Sequence, residues 1–268
     1  MNRRQSSLMK VTSGVYAAFI FLFLYAPIVV LIVLSFNANK LRGSWGGFSL
    51  RWYISLFQNA RIMNALMTTL ILALLSAVIA TAIGTFAAIA LHELRRGPFR
   101  SVLMNLTYIP MLNPDIVTGV SLLLLFTFVG MRLGFGSLLL SHVAFNIPYV
   151  VLSILPKLKQ MSPNLIDAAM DLGMKPLRAI FKVVLPEIMP GVITGFLLAV
   201  TMSIDDFVVS FFTTGPGVST LSIEIYSMTR RGINPEINAL STIMFVVVLA
   251  LLIVINLRSD KDEMIGVG

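Results

Sequence analysis

The stretch Asp167–Pro186, DAAMDLGMKPLRAIFKVVLP, is too polar to lie in lipid, yet it stands between two long apolar runs. Asp167, Asp171, Lys175, Arg178 and Lys182 carry its charge. Leu165, Ala168, Ala169 and Leu172 recur at helical spacing in and just before its first half, with Ser162 suited to the N-cap and Pro163 to the first helical position. Gly173 suits the end of that helix. Pro176 suits the start of a second helix, with Leu177, Ile180, Phe181 and Val184 on one side, and Pro186 marks the junction with the next apolar run. The segment reads as a helix–turn–helix hairpin, apolar on one face. Such a hairpin is either an interfacial connector between two spans or a docking element for a soluble partner.

The flanking runs place the hairpin in a membrane protein. The 268 residues are 57% hydrophobic and only 12% charged, with a mean hydropathy of +0.91, whereas about a quarter of a soluble chain is charged. Six runs approach or exceed the roughly 20 residues a membrane helix needs: Thr12–Phe36, Ala65–Leu91, Ser101–Val129, Ser137–Leu155, Ile188–Phe212 and Ala239–Leu257. No ten-residue alternation points to a barrel. The first run exceeds the apolar core of about 7–15 residues of a signal peptide and lacks a small-residue cleavage site, so it reads as a retained span. With both termini cytoplasmic, 13 of the 20 Lys and Arg residues fall inside, and the hairpin region Lys157–Leu185 becomes a cytoplasmic loop. The net charge of +8 is this loop bias and not a nucleic-acid footprint. Outside, Asn37–Phe57 carries Trp52, Tyr53 and Phe57, either an interfacial aromatic belt or a short outer helix that receives a partner.

Several chemistries are disfavoured. There is no Cys, hence no disulfide or thiolate site, and two His make a metal site a poor reading. No phosphate loop of the GxxxxGK[ST] form is present; GPGVST at Gly215–Thr220 lacks the Lys. What remains is a set of acidic residues in or near spans, which are costly in lipid and usually functional. Asp115 follows Pro110 and Pro114 in the third run, where the prolines break the helix at mid-membrane. It lines a cation path, caps the helix restart, or does both. Asp205 and Asp206 are adjacent in the fifth run, and a polycationic solute would offset their mutual repulsion. Phe207 and Phe211, four apart, offer ring faces to an ammonium group or simply pack. Glu224, Tyr226 and Glu236 flank the last run as candidates for an outer gate or for receiving a partner protein, although Pro235-Glu236 also fits an ordinary helix start. His142 and Asn146, four apart in the fourth run, fit interhelical hydrogen bonds better than metal ligation.

The spacing of the hairpin adds a resemblance. Asp167-Ala168-Ala169, Gly173, Val183 and Leu185-Pro186 resemble the EAA coupling loop of ABC-importer permeases, with Asp for Glu and Val for Ile. NPDIV (113–117), SIDDFVVSFFTTGP (203–216) and EIYSMTRRGINPEINA (224–239) are similar to the PotC-type permease family of spermidine/putrescine importers across nearly the whole chain. The resemblance implies an all-α, six-span permease of the type I ABC-importer fold, a single domain over 1–268 with its core at about 65–257 and its coupling loop at 157–186. It implies that Asp167, Ala168, Ala169, Gly173, Leu185 and Pro186 couple to a separate homodimeric ATPase, which holds ATP and Mg. It also implies a second permease as heterodimer partner, an external polyamine-binding protein, a bacterial inner-membrane location and no catalysis by this chain. Asp115, Asp205, Asp206, Phe207, Glu224 and Tyr226 are the expected substrate path, with no metal site. The alternatives are an ABC permease for another cationic or zwitterionic solute, and a stand-alone ion-coupled transporter that would leave the hairpin unexplained.

Overall fold

A computed structural model describes the chain except residues 1–2, 41–43, 95–96, 163, 231–234, 247–248 and those from 250 onward; the side chains of 3–12 are also outside the description. Among the described residues the regular structure is helical, apart from an isolated antiparallel bridge between Asn37 and Phe48. In chain order the helices are α1 (Arg3–Ser35), α2 (Arg51–Gln58), α3 (Ala60–Glu93), α4 (Pro98–Leu112), α5 (Asp115–Phe128), α6 (Phe135–Gln160), α7 (Leu165–Asp171), α8 (Pro176–Ala179), α9 (Leu185–Asp205), α10 (Val208–Thr213) and α11 (Leu221–Arg230). A further helix, α12, occupies residues 235–246. Four segments are long and apolar enough to cross a bilayer, or five if α4 and α5 together make one span. Most of the expected sixth span, the basic residues Arg95, Arg96, Arg258 and Lys261, and Pro163 lie outside the described residues.

The chain divides into two compact units. The first joins the N-terminal part up to Met63 with the C-terminal part from Ile225. In it the segment between α1 and α2 folds around Asn37. The Asn37 side chain accepts from the backbone N–H groups of Asn39 (3.0 Å) and Gly46 (2.8 Å) and donates to Ser44 O (2.9 Å). The buried Trp52 of α2 donates its indole N–H to Asn37 O at 2.7 Å. Tyr53 bonds the Ser35 hydroxyl at 2.7 Å. Trp52 and Tyr53, read from sequence as either an interfacial belt or part of a short helix, lie on the short helix α2 and are engaged inside the unit. Glu236, in the first turn of α12, accepts from Ser55 and, at 3.1 Å, from Asn59, tying α12 to α2 and its C-terminal cap.

The second unit, Asn64–Glu224, has α6 at its centre. Val150, Val151, Ile154, Leu155 and Leu158 of α6 are buried against Ala77, Ala80 and Ala88 of α3 and Ile188 and Ala199 of α9. Lipid removes most of the hydrophobic drive between spans, so close packing through small residues does the holding. Val150 illustrates it: a Cβ added at Gly84 of α3 would lie 2.7 Å from Val150 Cγ1, and one at Gly195 of α9 would lie 3.2 Å from Val150 Cα.

Two boundaries differ from the sequence reading, while the break expected in the third run is present and sharp: α4 and α5 are bent by 109° across Asn113-Pro114. Pro114 has no N–H to continue the ladder and biases Asn113 away from helical geometry. The fifth run is not continuous either; α9 stops at Asp205 and α10 restarts at Val208. Conversely, Pro186 does not separate the hairpin from the fifth span. Pro176–Asp205 is one 30-residue helical segment, with a π-turn at Ile180–Val184 just before Pro186. The wider turn accommodates the backbone bond that Pro186 cannot make.

The hairpin's turn follows its sequence. Gly173 has φ +84°, its N–H reaches Met170 O at 2.8 Å, and Met174 N–H reaches Ala169 O at 3.1 Å. This is the paired bond pattern that closes a helix through a left-handed residue, which only Gly adopts freely. The helix starts later than expected: α7 begins at Leu165 behind Asn164, without a side-chain cap from Ser162.

Candidate functional site

Two broken helices meet in the second unit. Gly119 of α5 lets α10 approach closely, for a Cβ there would lie 2.9 Å from Phe212 Cδ2 and 3.4 Å from Val208 O. This contact brings the restart of α5 and the restart of α10 to one cavity of about 250 Å³. Its lining includes Asp115, Asp205, Asp206 and Phe207, together with Phe145 and Tyr149 of α6. Pro110, Thr118, Thr201, Met202, Val208 and Val209 complete it, so none of the lining residues is basic.

The three carboxylates are held differently. Asp115 is the first residue of α5 and is exposed; Pro114 occupies the cap position and no side-chain cap bond forms there. The expectation that Asp115 caps the restart is thus corrected: its charge instead sits beside the positive end of the helix. Asp205 ends α9 and is exposed. Asp206 is turned inward. Its Oδ1 accepts the Val209 N–H at 3.2 Å and its Oδ2 the Ser210 N–H at 2.7 Å. Its side chain is only 10% exposed, and Oδ2 lies 3.5 Å from His142 Nε2. A carboxylate two or three residues ahead of a helix satisfies amide groups that have no partner within that helix. Asp206 does this for α10.

Behind the cavity α6 presents a buried polar face. His142 Nε2 is 3.0 Å from Ser210 Oγ, Asn146 Nδ2 donates to Ser203 Oγ at 2.8 Å, and Ser203 Oγ is 3.0 Å from Ser76 Oγ of α3. Ser137 Oγ donates to Thr213 O at 2.8 Å. The interhelical hydrogen bonds expected of His142 and Asn146 are present. Such bonds in a membrane average about 0.6 kcal/mol. An unsatisfied buried polar atom costs about 1–3 kcal/mol, and His142 Nδ1 and Asn146 Oδ1 have no hydrogen-bond partner among the described residues. The arrangement therefore adds little net stability; what it supplies is a fixed geometry.

Two expected path residues lie elsewhere. Glu224 is buried on α11. Tyr226, 41% exposed, has the Arg230 guanidinium 5.6 Å from its ring centre. Neither is among the cavity's lining residues. Phe211 packs on Phe207 with ring centres 5.5 Å apart. Phe145 and Tyr149 were not singled out from sequence. They are four apart in an apolar run, a spacing shared by every packed helix, and only their neighbours distinguish them.

Residues 80–260 match the family described as binding-protein-dependent transport system inner membrane component. The chain is 41% identical over 257 residues to the spermidine/putrescine transport system permease protein PotC of Shigella flexneri, covering 95% of this chain and 96% of that one. It is 41% identical over 230 residues to the putrescine transport system permease protein PotI of Escherichia coli (strain K12), covering 84% and 82%. Among solved structures, a bacterial ABC transporter involved in import of the acidic polysaccharide alginate aligns with TM-score 0.75 at 17% identity, over 96% of each chain. The last comparison establishes the fold and the first three the family: the chain belongs to the inner-membrane components of binding-protein-dependent transport systems.

Proposed function

We propose that this chain is one permease subunit of an ATP-driven polyamine importer, forming half of a path that a second, homologous permease completes. The observation that carries the reading is the cavity, where Asp115, Asp205 and Asp206 converge beside Phe145, Tyr149 and Phe207 with no basic lining residue. Carboxylates accept strong hydrogen bonds from ammonium groups, and aromatic faces attract the same cations. A linear polyamine offers such groups joined by apolar methylenes. The named roles of the PotC and PotI relatives point the same way. The alginate importer shares the fold and carries an acidic cargo, so the cargo is read from side chains and not from the fold.

An external binding protein delivers the polyamine. The hairpin docks on a homodimeric ATPase that holds ATP and Mg, and the two termini lie on the same cytoplasmic side. The helix that leaves the hairpin at Pro176 is the one that ends at Asp205. At 1.5 Å per residue its 30 residues form a rod of about 45 Å. Closure of the ATPase pair thus acts on the acidic break through one continuous element, and alternation of the path follows.

The test is ATPase activity of the reconstituted importer with loaded binding protein, scanned over spermidine, putrescine and unrelated solutes. Stimulation by polyamines alone is the expected result. Stimulation only by another solute would overturn the cargo and leave the permease role in place.

A further inference from the structure

We infer that His142 and Asn146 of α6 are positioning residues for the acidic break, acting on Asp205 and Asp206 from behind; this rests on the path reading above. The two side chains are one helical turn apart and fully buried. Asn146 holds Ser203, in the last turn of α9 before the break. His142 holds Ser210, in the first turn of α10 after it, and faces Asp206. Ser137, farther toward the start of α6, holds the Thr213 carbonyl at the end of α10. The bonds therefore straddle the break. Six residues are too few for α10 to keep a direction by its own hydrogen bonds. Its course is set by the Asp206 carboxylate at one end, by the hydrogen bonds from α6 and by close packing on α5 at Gly119.

None of Ser137, His142, Asn146, Ser203 and Ser210 lines the cavity, whereas Phe145 and Tyr149 of the same α6 do. His142, Phe145, Asn146 and Tyr149 follow the i, i+3, i+4, i+7 spacing of a single helix face, so the same side of α6 supplies the rings at the path and the side chains that grip the break. The grip keeps the Asp205 carboxylate and the two rings in one register.

The test uses the assembled importer. Ser203→Ala with Ser210→Ala removes both grips without opening a large void. His142→Gln keeps an amide that can donate or accept near the position of Nε2 and serves as the conservative control. Because the chain contains no Cys, Asp205→Cys gives it a single thiol. The rate at which a small cationic thiol reagent modifies that residue reports the geometry of the break, whatever the cargo. That rate is expected to change by about fivefold or more in the double Ala background and to stay within about twofold with His142→Gln. With Asp205 intact, polyamine imported per ATP hydrolysed is expected to fall about tenfold in the double Ala variant and to persist with His142→Gln. Equal modification rates in all backgrounds would overturn the positioning role. A changed rate in an importer that takes up no polyamine would support positioning and overturn the polyamine reading instead.

Discussion

Asp205 and Asp206 are adjacent in sequence, yet the structure assigns them opposite costs of removal. In Asp206→Ala, the Val209 and Ser210 amides lose their acceptor. Losing a cap costs about 1 kcal/mol, and each buried amide left unpaired costs about 1–3 kcal/mol. Because the two estimates overlap, about 2–4 kcal/mol is expected for the pair together. Asp206→Asn keeps one carbonyl oxygen as acceptor and is expected to cost about 1 kcal/mol. Asp205 is exposed, so Asp205→Ala is expected to change stability by no more than about 0.5 kcal/mol. Uptake should rank differently, with Asp205→Asn lowering polyamine import strongly in a complex as stable as the parent. Unfolding of the detergent-solubilised complex and uptake in proteoliposomes read the two quantities. Equal destabilisation by Asp205→Ala and Asp206→Ala would refute the division of roles. So would an Asp206→Ala complex as stable as the parent.

Other perturbations test the remaining contacts. Asp205→Asn with Asp206→Asn should abolish polyamine uptake while the complex still assembles, as judged by co-purification; unchanged uptake would remove both from the path. Tyr149→Leu should lower the rate of polyamine-driven import about two- to tenfold while Tyr149→Phe stays close to the parent, since the ring face is what a cation meets; equal losses would point to the phenol oxygen instead. Gly84→Ala should destabilise by about 1–3 kcal/mol through its contact with Val150, and Val150→Ala should recover part of that loss in a double-mutant cycle by thermal unfolding. Gly173→Ala should cost about 1–2 kcal/mol at its left-handed turn, and should weaken capture of the ATPase by the purified permease.

Much of this molecule was legible locally. Hydropathy and the span lengths gave an all-helical membrane chain, because a bilayer leaves backbone groups no partner outside the segment. The turn at Gly173 and the break after Pro114 were readable because each depends on a residue whose own backbone limits decide it. The break at Asp206 was not readable. SIDDFVVSF contains neither Pro nor Gly, and the chain turns there because Asp206 takes up the new amide ends while His142 and Asn146, about 60 residues earlier, hold the two flanks. The continuity of the hairpin with α9 was misread for the opposite reason: a π-turn absorbed the proline that was expected to interrupt it.

The amino-acid sequence by itself therefore determined the membrane class, the hairpin with its coupling-loop spacing, and the set of acidic residues from which a cation path can be built. Tertiary structure decided which of those residues share a cavity, that Asp205 and Asp115 stay open to it while Asp206 closes a helix end, and that Phe145 and Tyr149 stand beside them. The physical reason is that composition and local stereochemistry act within a turn or two of chain. The direction of a carboxylate at a helix break is set by hydrogen bonds from other helices.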